Sequence, residues 1–211
     1  MNKKIMKMAM AVVGILLVGT GVAFNAAAAL GNDPVGIMYD GIRSTANLSP
    51  SQLGTASNIV NVALMILVFC LDRHYVNIGT FIYIIPYGAA VGLGGKLFAA
   101  LFPVQTLVFQ VLGAAAGCLM LYTGVAIFIA TDIGLDPFTG VVMVIRDKVG
   151  KQYRVVKICF DITCIILGAV LGGKLGIITI ITALTAGPVI QFLSDRMKKR
   201  IEAHTVERTG T

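Results

Sequence analysis

The stretch TGVAFNAAAALGNDP at 20–34 recurs as TGVAIFIATDIGLDP at 123–137. Thr20-Gly21-Val22-Ala23 matches Thr123-Gly124-Val125-Ala126, and Leu30-Gly31-Asn32-Asp33-Pro34 matches Ile133-Gly134-Leu135-Asp136-Pro137, both at an offset of 103. Arg43/Arg146 and Asn58/Asp161 keep that offset. Ile78/Ile177, Thr80/Thr179 and Gly88/Gly187 then align at 99, four residues shorter. A register held this far reads as one unit present twice, at about 8–95 and about 106–193.

The unit is built for lipid. The 211 residues are 57% hydrophobic and 13% charged, against roughly a quarter charged in a soluble domain. Mean hydropathy is +0.88. Apolar runs long enough to cross a bilayer fall at 5–29, 52–71, 77–95, 106–131, 155–171 and 175–193. The stretch 96–105, broken by Pro103, either extends the fourth of these helices or lies in the interface. The whole chain reads as a single membrane domain, 1–211, with a basic cytoplasmic tail from 194.

The first run imitates a signal peptide, with MNKKIMK ahead of an apolar stretch and small residues at Ala26–Ala29. Its counterpart lies in mid-chain, so the expectation is a retained helix. With the N-terminus inside, fourteen Lys and Arg fall on the cytoplasmic side, and only Arg43, Lys96 and Lys174 fall outside. That bias sets the orientation, with both termini cytoplasmic. Three helices per unit is an odd number, so the second unit enters upside down. The fold expected is all-α: six transmembrane helices in two inverted three-helix repeats, with short elbow helices after helices 1 and 4.

The elbows are Gly31-Asn32-Asp33-Pro34 and Gly134-Leu135-Asp136-Pro137. Glycine permits a break, aspartate is a good N-cap, and proline suits the first helical turn. Short helices at 34–43 and 137–148 follow, lying in the interface or folding back into the protein. Asp33 and Asp136 either cap these helices or line a substrate or ion path, as broken helices at matched positions do in transporters.

At these residues the chain resembles the bacterial YczE/YyaS/YitT family of integral membrane proteins. The carriers are Gly-Val-Ala-Phe at 21–24, Leu-Gly-Asn-Asp-Pro at 30–34, Asn77-Ile78-Gly79-Thr80, and Asp-Ile-Gly-Leu-Asp-Pro-Phe at 132–138. The resemblance covers about 8–193 and implies a multi-pass protein of the bacterial cytoplasmic membrane.

Polar residues inside apolar runs are the remaining candidates. Asp161 lies in mid-run, with Lys157 four residues earlier on the same face. Asn58, its repeat partner, Asn61 and Asn25 are also membrane-placed, and Asp132 sits near the end of the fourth run. The candidate transport path is therefore Asp161, Asn58, Asn25, Asp33, Asp136 and Asp132. Hydrogen bonding between helices is the competing role for each.

No catalytic set, metal site or cofactor is expected. Cys70, Cys118, Cys159 and Cys164 lie in apolar runs without a CxxC, and His74 and His204 are isolated in polar segments. Gly172-Gly173-Lys174 sits between two apolar runs and is not read as a phosphate loop. The basic clusters carry no interleaved aromatics, so nucleic acid is not an expected partner. The expected partners are the bilayer and a small-molecule or ion substrate. Two functional readings stay open: a small secondary transporter or permease, or a non-transporting sensor, regulator or assembly partner. A transporter should have a polar cavity walled by Asn25, Asn58, Asp161 and Thr20/Thr123; a scaffold should be packed solid there.

Overall fold

The computed structural model describes residues 3–104 and 106–209. Eight helices follow in order: α1 Lys3–Ala28, α2 Pro34–Thr45, α3 Leu53–Asp72, α4 Ile78–Leu101, α5 Leu107–Thr131, α6 Pro137–Val149, α7 Tyr153–Val170 and α8 Ile177–Thr209. No strand occurs among the described residues. Gln105, His204 and Arg208 lie outside the residues whose side chains are described.

Five helices, α1, α3, α4, α5 and α8, are long and apolar enough to cross a membrane. The expected sixth, α7, has 18 residues and carries Arg154, Lys157 and Asp161, which lowers its apolar character. Large apolar side chains point outward around the bundle: Ile85 is 77% exposed, Leu184 72% and Val170 79%. Water would not tolerate so continuous an apolar coat, and lipid would. The chain is an all-α, multi-span membrane protein.

Helix α1 is the axis of the bundle, packed along α4 on one side and α5 on the other. Glycines set the α1–α5 crossing. A Cβ added at Gly21 would stand 2.6 Å from the Gly117 carbonyl oxygen, and one at Gly14 would stand 2.8 Å from that of Gly124. The backbones touch, which gains dispersion contacts where no hydrophobic force joins helices. The pairing of 14 with 124 and 21 with 117 makes the helices antiparallel. Gly19 meets Tyr87 and Gly94 meets Thr20, so α1 and α4 run parallel. The end where α1 and α4 begin is the near face; the end where α1 finishes is the far face.

Several packings in one half have a counterpart in the other. As α1 packs on α4, α5 packs on α8; as α2 packs on α7, α6 packs on α3. The match fails most clearly at one pair: α3 packs on α4, but α7 and α8 have no comparable contact among the described residues.

The 96–105 stretch resolves differently from either expectation. Its first six residues prolong α4, and the helix ends at Leu101 ahead of Pro103. Phe98 explains the extension, because it is buried against Phe24 at a ring separation of 5.4 Å and fills the space beside Gly113.

Candidate functional site

The two elbows have similar backbones. Ala29 and Asp132, 103 apart, are both left-handed (φ 57° and 52°), and Gly31 and Gly134 follow at φ 102° and 158°. A left-handed alanine is unfavourable and is held here by its surroundings. Each elbow docks on the start of the other unit's third long helix. The Ile178 amide donates to the Leu30 carbonyl, and Gly31 lies against Gly176 and Thr179. The Thr80 hydroxyl donates to the Leu135 carbonyl at 2.9 Å, and Gly134 lies against Asn77 and Gly79. Asn77-Ile78-Gly79-Thr80 is thus a socket, and a side chain at Gly79 would strike the Ile133 carbonyl.

Both elbow helices fold back into the protein. The Asn32 amide donates to the Val22 carbonyl at 3.1 Å, six residues before α1 ends, or about 9 Å of helix. From there α2 climbs to the far face, where the Thr45 hydroxyl donates to the Leu171 carbonyl. Helix α6 starts beside mid-bundle aromatics, with Phe138 edge-on to Tyr39 at 5.4 Å and near Phe160 at 6.0 Å. It descends to the near face, where Asp147 accepts from Tyr75 and pairs with Arg146. These two partners hold the exposed Asp147 carboxyl below its usual pKa. The two half-helices therefore start inside the bundle and leave by opposite faces.

Between their starts lies an aromatic plug. Tyr83 stacks on Tyr87 at 5.1 Å, Tyr87 meets Tyr39, and Tyr39 meets Phe138. The Tyr39 hydroxyl donates to Asn61 Oδ1 at 2.8 Å, while the Asn61 amide nitrogen is buried without a partner among the described residues. Asp33 Oδ1 and the Asn25 amide nitrogen share that condition. Buried polar atoms left unpaired are costly and call for an explanation.

The aspartates differ. Asp136 caps α6, accepting from the Thr139 amide at 3.0 Å. Asp33 is the N-cap residue of α2: its carboxylate lies beside the amides of Val35 and Gly36, its Oδ1 is buried without a partner among the described residues, and its own backbone amide donates to Asn32 Oδ1. Capping alone therefore accounts for Asp136 and leaves Asp33 Oδ1 unexplained. Asp33 senses Lys157 and Asp161 electrostatically, and Lys157 senses Asp136 as well. Lys157 and Asp161 form an ion pair along α7. Alanine at Asp136 is expected to cost about 0.5–2 kcal/mol, and asparagine little. Asparagine at Asp33 should leave the melting midpoint in detergent unchanged or higher, since it caps about as well and removes a carboxylate oxygen buried without a partner.

The other candidates separate. Asn58 Oδ1 accepts from the Gly88 amide at 3.1 Å, two residues after Pro86, so it serves the α4 backbone. Asp132 is exposed as the α5 C-cap, away from the plug. Asn25 is fully buried, takes a 3.8 Å contact from Cys118 and lines a small pocket towards the far face. Of the residues expected to wall a central cavity, Asn25 lines the small pocket, and Asn58, Asp161, Thr20 and Thr123 line neither it nor the larger cleft. Open space lies instead at the far face, in a cleft of about 330 Å³. Tyr39, Tyr83 and Tyr87 were missed in the sequence; three tyrosines within or beside apolar runs, two of them four apart, were the available signal.

The sequence profile described as "Family of unknown function (DUF6198)" matches residues 5–195. An uncharacterized protein of Haemophilus influenzae is 26% identical over 176 residues, covering 83% of this chain and 78% of its own. The uncharacterized membrane protein YczE of Bacillus subtilis is 21% identical over 140 residues, covering 66% of this chain and 64% of its own. The second bears out the YczE-like resemblance. No solved structure matches.

Proposed function

The chain belongs to the DUF6198 family of unknown function, and we propose that it is a small secondary transporter of the bacterial cytoplasmic membrane. One observation carries this: two half-helices at matched positions start inside the bundle, one with a buried, unpartnered carboxylate oxygen at Asp33. Broken helices with free ends in mid-membrane are the recurring site of secondary transporters. On this reading α7 is the sixth span, the second unit is inverted, and the near face with both termini is cytoplasmic. A gradient drives the cycle, the aromatic plug is the closed gate, and no chemical reaction is catalysed. The packed aromatic rings of the plug favour the second reading, a non-transporting sensor, regulator or assembly partner.

One labelling experiment separates these readings. Single cysteines replace Ser49, Lys151 or Asn61 in a chain lacking Cys70, Cys118, Cys159 and Cys164, and a membrane-impermeant maleimide is applied to cells and then to opened membranes. Position 49 should label in intact cells and position 151 only after opening; the reverse would overturn the orientation. Position 61 should label slowly from at least one side, because a gate must open. Its complete protection in both preparations, once the two loop positions have reacted fully, would overturn transport.

A further inference from the structure

The charge census and the cavity meet at one place. Arg43, Lys96 and Lys174 are the three basic residues that topology leaves on the far face, and all three line the 330 Å³ cleft. The one carboxylate in its wall, Asp40, is already engaged. Its Oδ1 is paired with Arg43 at 2.8 Å and its Oδ2 accepts the Lys174 amide at 3.1 Å. Lys96 and Lys174 have no carboxylate within ion-pair distance among the described residues, and both are exposed. The cleft thus carries two uncompensated positive charges above walls of alanine, valine, leucine and proline.

Its floor is kept empty by residue choice. A Cβ added at Gly92 or Gly95 meets nothing within 4 Å, unlike the glycines at the helix crossings. These two glycines leave room where packing demands none. The cleft also leads inward. A pocket of about 10 Å³ shares Ala26, Asp40 and Lys174 with it and reaches Asn25 and Asn32, close to the size of one water. The unpartnered Asn25 amide belongs to this wall, and Asn32 immediately precedes Asp33.

We infer that the cleft binds an anionic group, a carboxylate or phosphate, on a short apolar body, with Lys96 and Lys174 holding the charge and the small side chains holding the body. Two ammonium groups suit a compact anion, and 330 Å³ is at the lower end of ligand-site volumes. Such a molecule comes from the aqueous phase or is the headgroup of an anionic lipid. Binding stands on the cleft alone; taking the bound anion for the cargo rests on the transport reading.

The test uses n-butylphosphonate on the full chain, purified in a non-ionic detergent and stripped of lipid, with its ³¹P line width followed by titration. Saturable broadening is expected, weakened at least tenfold by the pair Lys96→Met and Lys174→Met and by Gly92→Leu, whose Cβ enters open space. Lys199→Met, on the tail, should change nothing, and n-butylammonium should not compete. Repetition in nanodiscs of phosphatidylcholine with or without phosphatidylglycerol names the source: competition by the anionic lipid assigns a headgroup, and unchanged binding assigns a soluble anion. Absence of both phosphonate and anionic-lipid binding, or binding indifferent to Lys96, Lys174 and Gly92, would overturn the inference. The position 61 labelling stands apart from it, so the anion site and the transport reading fail separately.

Discussion

Alanine at Gly21 or Gly124 is expected to lower the melting midpoint in detergent by roughly 10 °C. Alanine normally favours a helix by about 1 kcal/mol over glycine, so the sign itself is diagnostic. At Gly21 the new methyl stands 2.6 Å from the Gly117 oxygen and 2.7 Å from the Leu121 nitrogen; at Gly124 it stands 2.5 Å from the Gly14 oxygen. The obstacle in each case is backbone, which cannot turn aside as a side chain can. The helices must separate, loosening Ile15, Val18 and Val22, all buried in the core. Overpacking costs about 1–3 kcal/mol where side chains can adjust, and here the upper end applies. Because one separation relieves both clashes, the double variant should lose less than the sum of the singles. Gly92→Ala and Gly187→Ala, with nothing within 4 Å, should hold or raise the midpoint. Unchanged midpoints for Gly21→Ala and Gly124→Ala would mean that the α1–α5 crossing does not hold the bundle together.

The repeat made that crossing legible, since Gly21 and Gly124 are the same position of the two copies. Apolar run length and Gly-Asx-Pro punctuation placed the eight helices to within a few residues at most boundaries; the exceptions are α8, which continues through the expected tail to Thr209, and α4. There the aromatic contact of Phe98 with Phe24, distant in sequence, carried the helix past Gly94-Gly95. The candidate site was legible only by halves. Asp33 and Asp136 announced the elbows, but equal motifs hid unequal roles. Asn32 occupies the Asp33 amide where its counterpart Leu135 has no side-chain acceptor. The plug could not be read from spacing, because Tyr39 and Phe138 meet only after both elbows fold inward. Arg43, Lys96 and Lys174 counted as exceptions to a topology rule; only the folded chain gathers them around one cleft.

Replacing Lys157 by methionine is expected to cost more stability than replacing Asp161 by asparagine, about 3 kcal/mol against about 1–2 kcal/mol. The ion pair is confined to α7, with the lysine four residues before the acid, the weaker order for supporting a helix. Its worth therefore lies in its surroundings. Asp136 also acts on Lys157, and Lys157 on Asp33, so the field of the ammonium reaches beyond its partner. Removing Asp161 leaves the ammonium with the field of Asp136; removing Lys157 leaves the Asp161 carboxylate without a cation. Between a quarter and a third of each paired side chain is uncovered by protein, which places the loss at the low end for a broken buried pair. The double variant should recover part of the Lys157→Met loss, and adding Asp33→Asn should recover most of the remainder. Melting midpoints of the four variants in one detergent give the answer. Full rescue by Asp161→Asn alone would reduce the site to a local structural pair and shift the weight to the non-transporting reading. If Asp161→Asn keeps the wild-type midpoint while Lys157→Met loses about 3 kcal/mol, Asp161 is dispensable for folding and its charge is available for coupling to an ion gradient.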